Sequence, residues 1–344
     1  MLKNIFSNWS NIILSAISVF LLYPYFTKVL GEQQYGVWLL ISSVTSYFGL
    51  LQLGVPLANV RYISKYYAQN DIKKVSEVLS SNILFFSIVA SVVMLLGTII
   101  SFLMDYFFII HLELQTIAQI ATILASLDIA CKFVFEVFEG VVHGLQKFVL
   151  LNAVKNIGII LRVGLTYLLI THQNGIIKLS LILLLISVIQ GIVFFIVTKK
   201  LIPTLKLSRS LLNKEIFKDV AKYSIYVLVL QAGARLSFQT DAIVIGSFIS
   251  VGAIIWFSIA NNILTYLMQF IVGISQALMP KVSSLDATGD HNSLTKTYVE
   301  YSKITFILLL PICYGLFIFG GDFIALWMGR SEEHTSELQS PNTI

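Results

Sequence analysis

Leu127–Glu139 reads LDIACKFVFEVFE and lies inside an apolar run, Thr116–Val142, that is long enough to cross a bilayer. Four ionisable residues interrupt the run: Asp128, Lys132, Glu136 and Glu139. Their spacings of four, four and three residues place all of them on one face of a helix. Ionisable groups are costly in hydrocarbon, so this face is expected to meet protein or water rather than lipid. Lys132 has an acid one turn to either side, which suits an intrahelical ion pair. Three acids against one base still leave the face negative.

The rest of the chain is of the same kind. Its 344 residues are 57% hydrophobic and only 12% charged, with a mean hydropathy of +0.85, whereas a soluble domain carries roughly 25% charged residues. This composition is that of an all-α integral membrane protein. Nine apolar runs are expected to be spans: Asn11–Leu30, Val37–Leu57, Leu79–Met104, Thr116–Val142, Phe148–Ile170, Ile176–Val197, Lys222–Ile245, Val251–Leu278 and Ile304–Phe319. The N-terminal run is too long for a signal peptide and no small-residue cleavage site follows it, so it is taken as a retained first helix. Cys131 and Cys313 fall on different spans and suit small core residues without a disulfide. No zinc spacing, Walker loop or dinucleotide fingerprint occurs, and the five histidines are scattered. No metal, cofactor or enzymatic activity is therefore expected. The net charge of +5 is explained by basic loops and calls for no nucleic acid.

Those loops set the orientation. Sixteen Lys and Arg residues fall in connections on one side, including Arg61, Lys65, Lys73, Lys74 and seven between Lys199 and Lys222, while only Lys28 and Lys178 fall on the other. The asymmetry predicts a cytoplasmic N-terminus. The outer connections, including Gly31–Gly36, are all short, so the work of the protein is expected within the membrane or at its cytoplasmic face.

Ser208–Tyr223 carries Leu211, Leu212, Ile216, Phe217 and Val220 at helical spacing with lysines between them, the pattern of an amphipathic surface helix. It follows six spans and suits a linker between lobes. An internal repeat agrees: a Trp-led helix runs from Trp38 to Asn70-Asp71, and a second runs from Trp256 to Gly289-Asp290, over similar lengths. Six spans per repeat would make the repeat parallel. The expected organisation is a six-helix lobe over 1–200, a linker over 201–222, and the first three helices of an incomplete second lobe over 223–329. Arg330–Ser340, RSEEHTSELQS, resembles a translated sequencing-library adapter, and 330–344 is taken as a non-native tail.

Leu30-Gly-Glu-Gln-Gln-Tyr-Gly-Val-Trp38 resembles the LG-x-x-x-YG-x-W signature of polysaccharide flippases. Leu51-Gln-Leu-Gly-Val-Pro56, Arg61-Tyr-Ile-Ser-Lys65 and Asn70-Asp71 are similar to that family's LDLG…RY…K…ND stretch, with Gln52 where the family often has Asp. Phe238–Gly246 resembles its "TD…IG" stretch, and Phe257–Pro280 its eighth helix ending in proline. The resemblance is to the polysaccharide transporter branch of the multidrug/oligosaccharidyl-lipid/polysaccharide exporter (MOP) superfamily, which includes O-antigen flippases. It implies two six-helix lobes around a central cavity. It also implies flipping of an undecaprenyl-pyrophosphate-linked oligosaccharide across a bacterial inner membrane, with lipids and a polysaccharide polymerase as expected partners.

Such a substrate calls for a polar cavity with some cationic groups. Lys155 and Arg162 lie two turns apart on span five; Gln231 and Arg235 share a face of span seven, and Asn262 and Gln269 a face of span eight. With Lys132 these are the expected cavity residues, and Lys155 and Arg162 are the expected phosphate contacts. Asp128, Glu136, Glu139 and Asp241 are the expected pairing or ion-coupling residues, with proton and sodium both open. Polar stripes also run along span one (Asn8, Asn11, Ser15, Ser18) and span two (Ser42, Thr45, Gln52). Any single Ser, Thr, Asn or Gln among these is more often glue between helices than cavity lining. The rival readings are a cation-coupled multidrug exporter, favoured by an acidic and aromatic cavity, and a membrane polysaccharide polymerase.

Overall fold

The computed structural model describes residues 2–52, 54–208, 240–287 and 290–328, with isolated positions 211, 229, 232, 233, 236 and 237 between them. Gln231, Arg235, most of the expected linker helix and the 330–344 tail lie outside the described residues. Among the described residues every regular element is helical.

The first two expected spans form one helix, α1 (Leu2–Ser46), and the loop expected over Gly31–Gly36 does not form. Gly31 alone leaves the helix, at φ 76 and ψ 166, a region open essentially to glycine. It divides α1 into two arms. After α1 the chain tightens into a 3-10 helix, Tyr47–Gln52, so the second span also ends earlier than its apolar run suggests. Gly54, at φ 72, turns it into α2 (Val55–Ala68), with Pro56 in the first turn, where a missing N–H costs least.

Asp71 caps α3 (Ile72–Phe107) by accepting from the Lys74 N–H at 3.0 Å. α4 (Leu112–Gly144) and α5 (Phe148–Leu169) are joined by the short turn expected near His143–Lys147, with Gln146 at φ 57. α6 (Gly175–Leu201) follows, and residues 202–208 then lie along α3, where the Lys206 N–H donates to Ser76 Oγ and the Ser208 N–H to Ser80 Oγ, both at 3.3 Å. A helical segment at 240–248 precedes α7 (Ala253–Ala287) and α8 (His291–Met328). Asp290 caps α8 from the Ser293 N–H at 3.0 Å, as Asp71 caps α3. Each tract that begins at a Trp-led helix thus ends at an aspartate cap.

Contacts gather the chain into two units, residues 1–257 and 258–344. In the first, α4 is the central helix, packed along α3 and α6 and, over its C-terminal half, against α2. Phe86, Leu79, Phe133, Val137 and Val141 form one buried cluster around it, and Leu40, Ile41, Ala118, Ala121 and Ile176 form another. By length and composition, five described helical stretches qualify to cross a membrane: 6–52, 72–107, 148–169, 175–201 and 291–328. α4 is not among the five, and it carries the charges of the opening stretch. Its central place explains how it tolerates them, since its neighbours stand between it and lipid. In the second unit α8 leaves Phe306 and Phe317 exposed, as suits side chains that meet lipid. Cys131 is half-buried and Cys313 exposed, so neither is the fully packed core residue that the sequence suggested.

Candidate functional site

The charged stretch of α4 lines a cavity of about 450 Å³. α4 contributes Lys132, Phe133, Phe135, Glu136 and Glu139. The end of α1 and the 3-10 helix add Thr45, Ser46 and Gln52, α5 adds Lys155, and α6 adds Ser187, Gln190 and Phe194. All of these belong to the first unit.

Each acid of the stretch has its own partner. Lys132 Nζ donates to Asp128 Oδ2 at 2.6 Å within α4. Gln52 Nε2 donates to Glu136 Oε2 at 2.7 Å from the 3-10 helix. Lys155 Nζ pairs with Glu139 Oε1 at 2.5 Å from α5. Two of the three partners thus reach across from other elements and tie α4 to them at the cavity wall. Asp128 is buried and lies behind the wall, and its Oδ1 has no hydrogen-bond partner.

Arg162, expected beside Lys155 as a cavity residue and phosphate contact, is placed elsewhere. Arg162 faces α1 and donates from Nη2 to Ser18 Oγ at 3.2 Å, and it is not among the cavity-lining residues. The polar stripe of span one accounts for this. Asn11 donates to Asn156 at 2.8 Å, Asn152 donates to Asn8 at 2.6 Å, and Asn156 donates to Ser10 at 3.2 Å. Residue numbers rise together on the two helices, so the first arm of α1 and α5 run parallel and are joined by amide and hydroxyl bonds. That stripe is the glue between helices. The stripe of span two behaves differently, since Thr45 and Gln52 reach the cavity.

Of the other predicted residues, Gln231 and Arg235 lie outside the described residues. Asp241 is exposed on the 240–248 segment. Asn262 is half-buried and donates to the Ser258 carbonyl of its own helix at 2.7 Å, and Gln269 is exposed. Among the described residues no three or more His, Cys, Asp or Glu side chains gather as a metal site.

Sequence reading passed over α6. Gln190 donates to the Val154 carbonyl of α5 at 3.1 Å and lines the cavity with Ser187. The signal was present as Ser187 and Gln190, three apart in the apolar middle of the helix and followed by Gly191. Two glycines seat this corner: a Cβ on Gly158 would collide with the Gln190 amide, and one on Gly191 would collide with the Phe135 ring. Phe135 and Gln190 hold their places only because both glycines lack side chains.

Several solved structures share this fold. A MOP superfamily transporter from Pyrococcus furiosus aligns with a TM-score of 0.66 at 16% identity, over 96% of this chain and 74% of its own. An outward-facing multidrug resistance MATE family transporter of the same superfamily aligns with a TM-score of 0.62 at 16% identity, over 95% and 76%. At such identities the likeness is one of fold. Among curated proteins, the uncharacterized membrane protein MJ1068 of Methanocaldococcus jannaschii is 22% identical over 79% of this chain and 56% of its own length. The uncharacterized membrane protein EpsK of Bacillus subtilis is 21% identical over 94% of this chain and 65% of its own. The chain therefore spans a little over half to about two thirds of the length of these relatives. Residues 1–286 match the family described as polysaccharide biosynthesis protein, and with that match covering most of its length the chain belongs to this family of multi-pass membrane proteins.

Proposed function

We propose that the protein is a membrane transporter that moves a lipid-linked oligosaccharide, of the undecaprenyl-pyrophosphate kind, from the inner to the outer leaflet for surface polysaccharide synthesis. The observation that carries this reading is the cavity, where amides, carboxylates, lysines and phenylalanines meet inside a bundle of membrane helices. The substrate has a hydroxyl-rich glycan, an anionic pyrophosphate and an apolar tail. Gln52, Ser187, Gln190 and the two glutamates suit hydroxyls, and Phe133, Phe135 and Phe194 suit the flat apolar faces of sugar rings. Lys132 and Lys155 already hold carboxylates, so a phosphate must compete with Asp128 and Glu139 for them. This exchange of partners is the proposed link between substrate binding and movement of α4 against α5.

The family match supports the polysaccharide pathway, and the basic asymmetry of the loops supports a cytoplasmic N-terminus in a bacterial inner membrane. The proposed division is a lobe over 1–200, a linker over 201–222 and part of a second lobe over 223–329, with polysaccharide polymerase machinery as a partner. Arg235, Gln231, Asn262 and Gln269 are assigned to the second lobe's share of the pathway. Glu136, Asp128 or Asp241 is assigned the coupling proton or sodium ion.

One observation favours the multidrug exporter: the cavity carries two carboxylates and three phenylalanines, the acidic and aromatic lining expected of it. Deleting the gene separates the two readings. The flippase reading expects loss of surface glycan and accumulation of lipid-linked intermediates on the cytoplasmic leaflet, restored by the wild-type gene and not by Lys155→Glu. Intact glycan with raised sensitivity to cationic drugs would sink it in favour of the exporter.

A further inference from the structure

The exposed stripe of α2 changes character along its length. Leu57, Arg61 and Lys65 recur four residues apart and all three are exposed, while Ala58, Asn59, Ile63 and Tyr66 are buried behind them. The stripe is apolar at one end of the helix and basic at the other. At the basic end two lysines converge on one ring: Lys65 Nζ lies 5.4 Å and Lys74 Nζ 5.3 Å from the Tyr66 centroid. Tyr62 stacks on Tyr66 at 6.2 Å, and Tyr67 is exposed beside them. Lys73 is exposed on the first turn of α3, and the Lys206 backbone is fixed to Ser76 one turn further on.

Three physical facts give this cluster its meaning. Tyrosines with a buried ring and an outward hydroxyl sit at headgroup depth. A helix whose exposed face passes from apolar to basic lies across the boundary between acyl chains and headgroups. Ammonium groups drawn to a ring face keep their remaining N–H donors for an anion. Among the described residues, Lys74 is the lysine of this cluster that pairs with a carboxylate, Asp71 at 3.6 Å, and that carboxylate is also engaged as the cap of α3.

We propose that the turn between α2 and α3 is a binding site for the phosphate headgroups of anionic phospholipids in the leaflet at that end of the bundle, with Lys65, Lys73 and Lys74 as the phosphate donors. The site lies close to the cavity wall. Ser64, next to Lys65, donates to the Gly144 carbonyl of α4 at 2.7 Å. Glu139 lies five residues before Gly144, a rise of about 7.5 Å. A bound headgroup thus braces the helix that carries the cavity acids. The proposal does not depend on what the cavity transports.

The test uses the full chain purified in detergent and exposed to mixed phosphatidylcholine and phosphatidylglycerol, with retained lipid counted by native mass spectrometry. The wild type is expected to retain phosphatidylglycerol in preference, less so at high salt. Lys65→Gln, Lys73→Gln and Lys74→Gln combined are expected to lower that preference on the order of tenfold to a hundredfold. The three lysines replaced by arginine are expected to keep it, which separates lost charge from lost fold, and Lys178→Gln, in the first turn of α6, is expected to change nothing. An unchanged preference in the glutamine triple, or none in the wild type, would overturn the proposal. So would retention of added undecaprenyl phosphate without phosphatidylglycerol, which would give the lysines to the transported lipid instead.

Discussion

The ion pair between Lys155 and Glu139 joins α5 to α4 across the cavity, and its removal has a calculable consequence. Two unit charges 2.5 Å apart attract by about 7 kcal/mol at an effective dielectric of about 20, and by about 1.7 kcal/mol in bulk water. The side chains are 38% and 31% exposed, so water screens part of the attraction, and desolvation with side-chain ordering takes back most of the rest. A net coupling of about 1–2 kcal/mol remains. Lys155→Met leaves Glu139 and Glu136, three residues apart on one face, without the base. Glu139→Gln leaves Lys155 with Glu136 still nearby, and is expected to be milder. The double variant should be more stable than the sum of the two losses predicts. Thermal unfolding of the four proteins in lipid-containing micelles should show a non-additivity of about 2 °C or more, shrinking with salt. Strictly additive midpoints would refute the pairing. Recovery of glycan export along with stability in the double variant would refute the proposed exchange of partners.

Three further outcomes are expected. Asn59, 1% exposed, accepts from Asn82 at 2.9 Å and donates to the Val137 carbonyl at 3.1 Å, so Asn59→Ala should cost about 1–3 kcal/mol by strewing unmatched groups through the α2–α3–α4 contact, read as a fall in unfolding midpoint. Gly36→Ala places a methyl against the Val251 carbonyl, a backbone atom that cannot swing away, and should lower folded yield more than Gly164→Ala, which meets open space. The Ser293 hydroxyl and backbone N–H hold the Asp290 carboxyl below the ordinary carboxylate range. A depressed carboxylate stabilises above its unfolded value and loses that contribution as pH falls through the folded value. Protection of the amides at the start of α8, taken relative to their intrinsic exchange rates, should therefore fall as the pH drops below the unfolded aspartate value, and Asp290→Asn should remove that loss.

Much of the fold was legible because lipid leaves few choices. Long apolar runs with basic loops between them fix helices and their order, and nearly every described span falls on an expected run. The details lost were those set by single residues. Gly36 and Gln33 read as loop, yet only Gly31 breaks α1, because glycine marks where a break is permitted and packing decides where it occurs. The charged cluster was legible because charge is rare in this chain: Lys132, Glu136, Glu139 and Lys155 line one cavity, and Asp128 pairs with Lys132. Arg162 was misread because a base two turns from Lys155 shares its face only in an ideal helix seen alone, and a row of asparagines on α1 had prior claim to that face.

Gln52 shows how a departure from a family pattern gains sense only in three dimensions. In sequence it stood as a mismatch to the aspartate often found there. In the structure it faces Glu136, on a helix 84 residues further along the chain, and supplies the donor that an aspartate lacks. An aspartate at 52 would set two carboxylates against each other across the cavity, and that arrangement demands a proton or a cation between them. The amide instead gives one Glu136 oxygen a donor. Glu136 lines the cavity beside Glu139, which Lys155 already holds. Each acid of the stretch therefore already has a partner before any substrate arrives. A glycan that binds there gains by hydrogen bonding to groups already in place, whereas a phosphate gains only by taking a lysine from its acid.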